Sequence, residues 1–231
     1  MPSGYLSEYM FEGEESGRVK ILLAGDPHLW ENPMDAMKDT QRINRYGAGC
    51  DSLVLPGDVA HEDENVQRIV DSGEIYEDIR IAYGNNDEFD PEELYNDQDT
   101  EIDTTLVWEE EYEEDTYTFS MKHDPARYGI KEGSRKSSNL NNRSKDIVIA
   151  AHNHIPESKV LNDGILYINP GSIYQNYDMG RNIPKSSIFM LEIDEKITVT
   201  HLDYERDEVV TRKEYVRENG VFRSADRRAT G

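Results

Sequence analysis

Short apolar runs set the strongest limit on how this chain can fold. "VKILLAG" (19–25), "SLVLPG" (52–57), "RIAYG" (80–84) and "DIVIAA" (146–151) are each too short for a helix, and each is bounded by glycine or polar residues. Rich in Val, Ile and Leu, such runs suit strands buried on both faces. The intervening segments read as helices. "NPMDAMKDTQRINRYG" places Pro33 near a helix start and Gly47 where a C-cap would fall, and "ENVQRIVDSG" repeats the scheme with Gly73. Strand–helix–strand order predicts parallel pairing with right-handed crossovers, an α/β class, and ligands collected outside the carboxyl ends of the strands. Beyond Asp87 the character changes to strands joined by turns: a hairpin from about Val107 to Met121, then "SKVLNDGILYINPGS", "SIFMLEID" and "ITVTHLDYE". From about Arg217 no period is legible, and the end is expected to fray. The division expected is an extension over 1–17, a domain over 18–205 and a partly disordered C-terminal segment over 206–231.

The residues just past each run carry the chemistry. "ILLAGDPH" leads to Asp26 and His28, "LVLPGD" to Asp58, "IAYGN" to Asn85, "TFSMKH" to His123 and "VIAAHNH" to His152 and His154. All are oxygen or imidazole donors. In extended backbone, residues i and i+2 share a face ~6–7 Å apart, so Asp26 with His28, and His152 with His154, are expected to converge. Glycine before Asp26, Asp58 and Asn85 is expected to let the backbone turn and approach a metal closely. Brought to one rim, these donors suffice for two divalent cations sharing a carboxylate. Mixed Asp, Asn and His donors suit Mn²⁺, Fe, Ni²⁺ or Zn²⁺ better than Ca²⁺, with Mn²⁺ favoured.

Composition narrows the setting. Lys and Arg total 25 against 48 Asp and Glu, a formal net charge of -23. Self-repulsion of this size is tolerated where salt shortens screening to ~3 Å at 1 M, which points to a halophilic source and weighs against polyanion binding by the whole surface. The one cysteine, Cys50, leaves no internal disulfide or thiolate zinc cluster. No apolar run approaches the ~20 residues of a membrane span, and the N-terminus lacks a secretory pattern. A cytoplasmic location without membrane association is expected.

The ordered motifs D-x-H, G-D, G-N-x-D, H and H-x-H, seen here as "DPH", "GD", "GNND", His123 and "AHNH", resemble the calcineurin-like metallophosphoesterases. Within them the closest pattern is that of the small single-domain phosphodiesterases of prokaryotes, whose closing signature looks like "NPGS" at 169–172. The resemblance implies a four-layer αββα sandwich of mixed sheets and a two-metal site. Carried over by position, Asp26, His28 and His154 would hold one metal, Asn85, His123 and His152 the other, and Asp58 would bridge them. It also implies in-line hydrolysis by an activated hydroxide, with Asp26, His28, Asp58, Asn85 and His123 in the catalytic set and a small phosphate ester or nucleotide as substrate. Two cations ~3.5–4 Å apart lower the pKa of water and stabilise charge on both attacking and leaving oxygens.

Two departures refine this. Many protein phosphatases and repair nucleases of the family carry a proton-donating His where this chain has Asn86, and an amide cannot supply that proton. Ala151 stands where glycine is usual. Asp87 either orients a ligand or only closes a turn, and the sequence leaves both open. His61 and His201 read as structural or exposed, and Trp30 as core or pocket mouth. The basic stretch 131–145, and more weakly Arg181, lie where they could meet a substrate phosphate. A non-catalytic scaffold on the same fold and a nuclease are the competing readings, and the oligomeric state is left open.

Overall fold

In a computed structural model of the chain, the described residues are 18–29, 33–94, 100–131, 133–137, 145–174 and 186–225. Trp30, Arg181, the two termini and the middle of the basic stretch lie outside them.

The first three apolar runs become β1 (Val19–Leu23), β2 (Ser52–Leu55) and β3 (Asp78–Ala82), linked by helices α1 (Pro33–Gly47) and α2 (Asp63–Val70). They pair in parallel, and β3 continues in parallel to β4 (Thr100–Asp103). A hairpin follows, β5 (Leu106–Tyr112) and β6 (Asp115–Met121), then β7 (Ile147–Ile149), β8 (Glu157–Val160), β9 (Leu166–Asn169), β10 (Ser187–Ile193), β11 (Ile197–Asp203), β12 (Glu208–Glu218) and β13 (Val221–Ser224).

These strands make two mixed sheets. The larger runs β13-β12-β11-β10-β1-β2-β3-β4 and the smaller β5-β6-β7-β9-β8. The inner faces bury a common core that includes Ile21, Leu23, Phe119, Met121, Ile147, Ile149, Phe189 and Val199. Alternate residues of the same strands point outward. Leu22, Leu53, Leu55 and Ile79 meet Ile43 and Tyr46 of α1 and Val66, Ile69 and Val70 of α2, whose spacing puts them on one helical stripe. Val148 and Tyr167 on the outer face of the smaller sheet are covered by Tyr128 and Ile130. Among the described residues the outer layer there is a short 3₁₀ turn, Pro125–Tyr128, and its following loop. Among the described residues no helix is long and apolar enough to cross a membrane.

Three details differ from the sequence expectation. α2 stops at Val70 and a 3₁₀ turn, Asp71–Glu74, takes up Gly73. β4, "TEID", joins the larger sheet as an edge strand although it has no apolar run. The chain does not fray from Arg217: β12 runs through Glu218 and pairs with β13. Tyr215 and Phe222 bury themselves in the core between the sheets, and the Phe222 N–H donates to Gly164 O at 2.7 Å. Two aromatics anchor this hairpin; the charged residues between them conceal its period.

Candidate metal centre

All the donor residues meet at one rim, where strands of both sheets end. Asp26 and His28 follow β1, Asp58 follows β2 and Asn85 follows β3, all in the larger sheet. His123 follows β6, and His152 and His154 follow β7, in the smaller one. The pairs do not converge by extended geometry. Asp26, His28, Asp58, His152 and His154 all have left-handed backbone, with φ between 40° and 65°. The other non-glycine residues of this kind among the described residues, Glu113, Asp207 and Asn219, sit in strand connections. Asp and His tolerate this region better than most side chains, yet each such residue still costs on the order of 1 kcal/mol. The convergence is built by turns that the surrounding structure must enforce.

Backbone ties between neighbouring strand ends enforce it. The His28 and Leu29 N–H groups donate to Asp58 O and Val59 O at 3.0 and 2.8 Å, and Ala151 N–H donates to His123 O at 2.9 Å. Asn65 of α2 donates its amide to Leu29 O at 2.6 Å. The Asp87 carboxylate accepts from Val59 and Ala60 N–H through one oxygen and from Gly84 N–H through the other. It therefore locks the β2 and β3 loops together and does more than close its own turn. The "NPGS" stretch buttresses the opposite side: Ser172 Oγ donates to Asp26 O at 2.8 Å, and Asn169 Nδ2 to Ala151 O and Asn153 Oδ1.

The glycines serve these contacts. A Cβ on Gly84 would lie 2.0 Å from Asp58 Oδ1, and one on Gly57 would lie 2.6 Å from His123 Nδ1. Each glycine is the seat of a neighbouring donor residue, which is a different reason from close approach to a metal.

The donors form two clusters, each with atoms within 4.8 Å of one another: Asp26, His28 and His154, and Asp58, His123 and His152. Both take members from both sheets. Asn85 Oδ1 lies 3.0 Å from His123 Nε2, which places it in the second cluster. In the first cluster His28 Nε2 and His154 Nε2 face each other at 3.1 Å; in the second, His152 Nδ1 and His123 Nε2 do so at 3.1 Å. His123 Nδ1 lies 2.9 Å from Pro56 O. Donation there puts the proton on Nδ1 and leaves the Nε2 lone pair aimed at the other donors, the arrangement typical of a metal-bound imidazole.

Asn86, set apart in the sequence only by the proton it cannot give, has a visible task. Its backbone N–H donates to Asp58 Oδ1 at 2.9 Å and its side-chain amide to Asp58 Oδ2 at 2.8 Å. Both oxygens of the central carboxylate are thereby oriented. Tyr174, not singled out from the sequence, lies edge-on to His28 with ring centroids 5.6 Å apart. Its nearness to "NPGS" was the available signal. His61 is exposed, and His201 is buried against Phe189 on β11.

The electrostatics fit a cation site. Burial, aided by Asp58 and Asp87 and opposed by His123, pushes the Asp26 carboxyl well above its ordinary range. Burial also raises Asp58, but the adjacent His123 and the hydrogen bonds from Asn86 outweigh it and hold that carboxyl far below its ordinary range. Burial and the adjacent His154 push His28 down to about 4, so its imidazole is neutral at pH 7. Burial lowers His123, yet Asp58 and Asp26 together raise it. Asp26 Oδ1 is buried without a hydrogen-bond partner among the described residues, although buried carboxylate oxygens are normally satisfied. Buried carboxylates beside imidazole lone pairs pointed at one another are a donor set that divalent cations would satisfy.

Residues 19–196 match the calcineurin-like phosphoesterase superfamily domain, and the chain belongs to that family. No curated protein matches the sequence. Among solved structures, a predicted phosphoesterase from Streptococcus pneumoniae is similar at 21% identity and a TM-score of 0.55, over 87% of this chain and 99% of its own. Vacuolar protein sorting 29 from Cryptosporidium parvum is similar at 16% identity and 0.61, over 87% and 100%. Vps29 from Entamoeba histolytica, complexed with Zn²⁺, is similar at 20% and 0.58, over 85% and 98%. At these identities the likeness is one of fold.

Proposed function

We propose that this protein is a metal-dependent phosphoesterase that hydrolyses phosphodiesters in preference to monoesters, with a small phosphate ester or nucleotide as substrate. The observation that carries this reading is the paired donor clusters sharing one rim. Asp26, His28 and His154 would hold one cation and Asn85, His123 and His152 the other, with Asp58 between them. When bound, the two cations lower the pKa of water and neutralise charge developing on the phosphoryl oxygens.

The chain's own residues do the rest. Pro56 O fixes the His123 tautomer and Asn86 fixes the Asp58 carboxylate. Asp87 keeps the β2 and β3 loops in register beneath them. Asn86 cannot protonate a leaving group, so esters whose leaving groups are already good are favoured. Mixed nitrogen and oxygen donors without thiolate support Mn²⁺ as the working ion, with Fe, Ni²⁺ or Zn²⁺ as alternatives. The excess of acidic residues supports a salt-rich cytoplasm as its setting.

The test is hydrolysis of a bis-aryl and a mono-aryl phosphate in high salt with and without Mn²⁺. Metal-stimulated turnover, faster on the diester, is expected. Two bound metals with turnover of neither ester would instead assign the chain a scaffold role.

A further inference from the structure

The distribution of charge over the surface singles out one region. Residues 122–145 carry Lys122, Arg127, Lys131, Arg135, Lys136, Arg143 and Lys145 against Asp124 and Glu132, a net of +5 in a chain of net -23, so the remainder carries -28. In a protein with so many carboxylates, cations normally find partners. Outside this stretch almost every described Lys and Arg is in an ion pair. Within it, Lys122, Arg127, Lys131, Arg135, Lys136 and Lys145 form none among the described residues. The carboxylates at hand are engaged elsewhere: Asp124 accepts from Ala126 N–H and Asp163 from Ser137 Oγ.

Lys122 and Lys145 also crowd a single ring, their Nζ atoms 5.3 and 5.7 Å from the centroid of buried Tyr128. Burial and Lys122 both push the Lys145 ammonium down. Like charges held together, with no ion-pair partner among the described residues, are an arrangement that an anion would relieve.

The placement says which anion. Lys122 directly precedes His123 at the metal rim, and its N–H donates to Ile149 O at 3.2 Å. Lys145 lies just before β7, at the far end of the same sheet, and Arg135 O accepts from Asn162 N–H at the turn between β8 and β9. The described cations of this stretch therefore form a basic strip that runs from the rim down the outer face of the smaller sheet, over ~10–15 Å at ~3.3 Å per strand residue. A flat anionic membrane or a wide duplex would bring the strongly acidic remainder close to its own negative charge. A narrow, flexible polyanion would touch the strip alone.

We propose that this strip is a binding surface for single-stranded nucleic acid, which it leads toward the metal centre. Delivery of a phosphodiester to that centre rests on the phosphoesterase reading, whereas binding to the strip does not.

The test is fluorescence anisotropy of a labelled oligouridylate with the full chain in EDTA, titrated downward from the high salt of the turnover assay to about 200 mM, with the fold followed by circular dichroism at each step. Saturable binding that weakens steeply with salt is expected. The quadruple variant Lys122→Gln, Arg135→Gln, Lys136→Gln, Lys145→Gln, with its melting temperature checked, is expected to bind at least 10-fold more weakly. Its salt slope should be shallower by about 3, from ~0.7 for each phosphate contact on a single strand. The control Lys196→Gln with Arg223→Gln is expected to leave binding unchanged. Absent binding, equal loss in the control, or capture of polyglutamate or phosphatidylserine vesicles in preference to the oligonucleotide would overturn the proposal. Aryl-phosphate turnover by the unaltered protein reports on the metal centre separately, so either reading can fail alone.

Discussion

The two halves of the metal centre draw on the same sheets but are held by different means. Around Asp58 the donors are oriented side chain by side chain: Asn86 grips both carboxylate oxygens and Pro56 O fixes His123. Around Asp26 the ties run mainly through backbone: Asp26 Oδ2 accepts the His152 N–H at 2.9 Å, and Asp26 O accepts from Ser172. The first half is set before an ion arrives; the second depends on its loops being in place. On this contrast the Asp58 half is expected to fill first and more tightly, and the Asp26 half to exchange its ion more readily.

The most severe trial falls on Asp58, the carboxylate proposed to bridge the two halves. Asp58→Asn is expected to abolish metal-dependent turnover and to lower metal stoichiometry below two by elemental analysis. The loss should exceed the 10–100-fold typical of a supporting residue. Near-normal turnover would remove Asp58 from its bridging place. Gly84→Ala comes next, because the new methyl would overlap Asp58 Oδ1 and N. Displacing that loop should cost ~1–3 kcal/mol in urea unfolding and weaken both metals together, and an unchanged denaturation midpoint would contradict the packing described.

Asn86→Ala tells the two halves apart. Metal affinity in calorimetry is expected to fall ~10–100-fold for one of the two ions and much less for the other. Equal weakening of both would mean that the halves are not separately held. The smallest expected effect lies away from the site. Burial pushes His201 from 6.5 to about 4. Because the folded value is depressed, the unfolded chain takes up the proton first, and stability present above pH 6.5 is lost as pH falls toward 4. His201→Leu should flatten the urea midpoint between pH 7 and pH 5 by at most about 2 kcal/mol, with His28 leaving a residual slope. An unaltered pH profile would show that His201 is not the group titrating.

The strands carrying the site were legible because their burial on both faces demands uninterrupted Val, Ile and Leu, and because ligands follow such strands directly. Polar β4, at one edge of the larger sheet, and charged β12, one strand in from the other, were not, since each satisfies its backbone in the sheet while most of its side chains face water. For the site, residue types and order could be read from the sequence, but not how they converge. Period-two spacing predicted shared faces for Asp26 with His28, whereas the structure uses left-handed turns, which spacing does not encode. The Asn86 grip on Asp58 joins loops 28 residues apart and appears only once β2 and β3 are adjacent.

Each cluster takes donors from both sheets, so a bound ion would act as a cross-link between two layers otherwise joined at that rim by loop hydrogen bonds and packing. Separating the sheets there would first require releasing the ions, and chelation should therefore speed unfolding more than it changes the folded structure. The same cations proposed to activate water would set how long the sandwich stays closed.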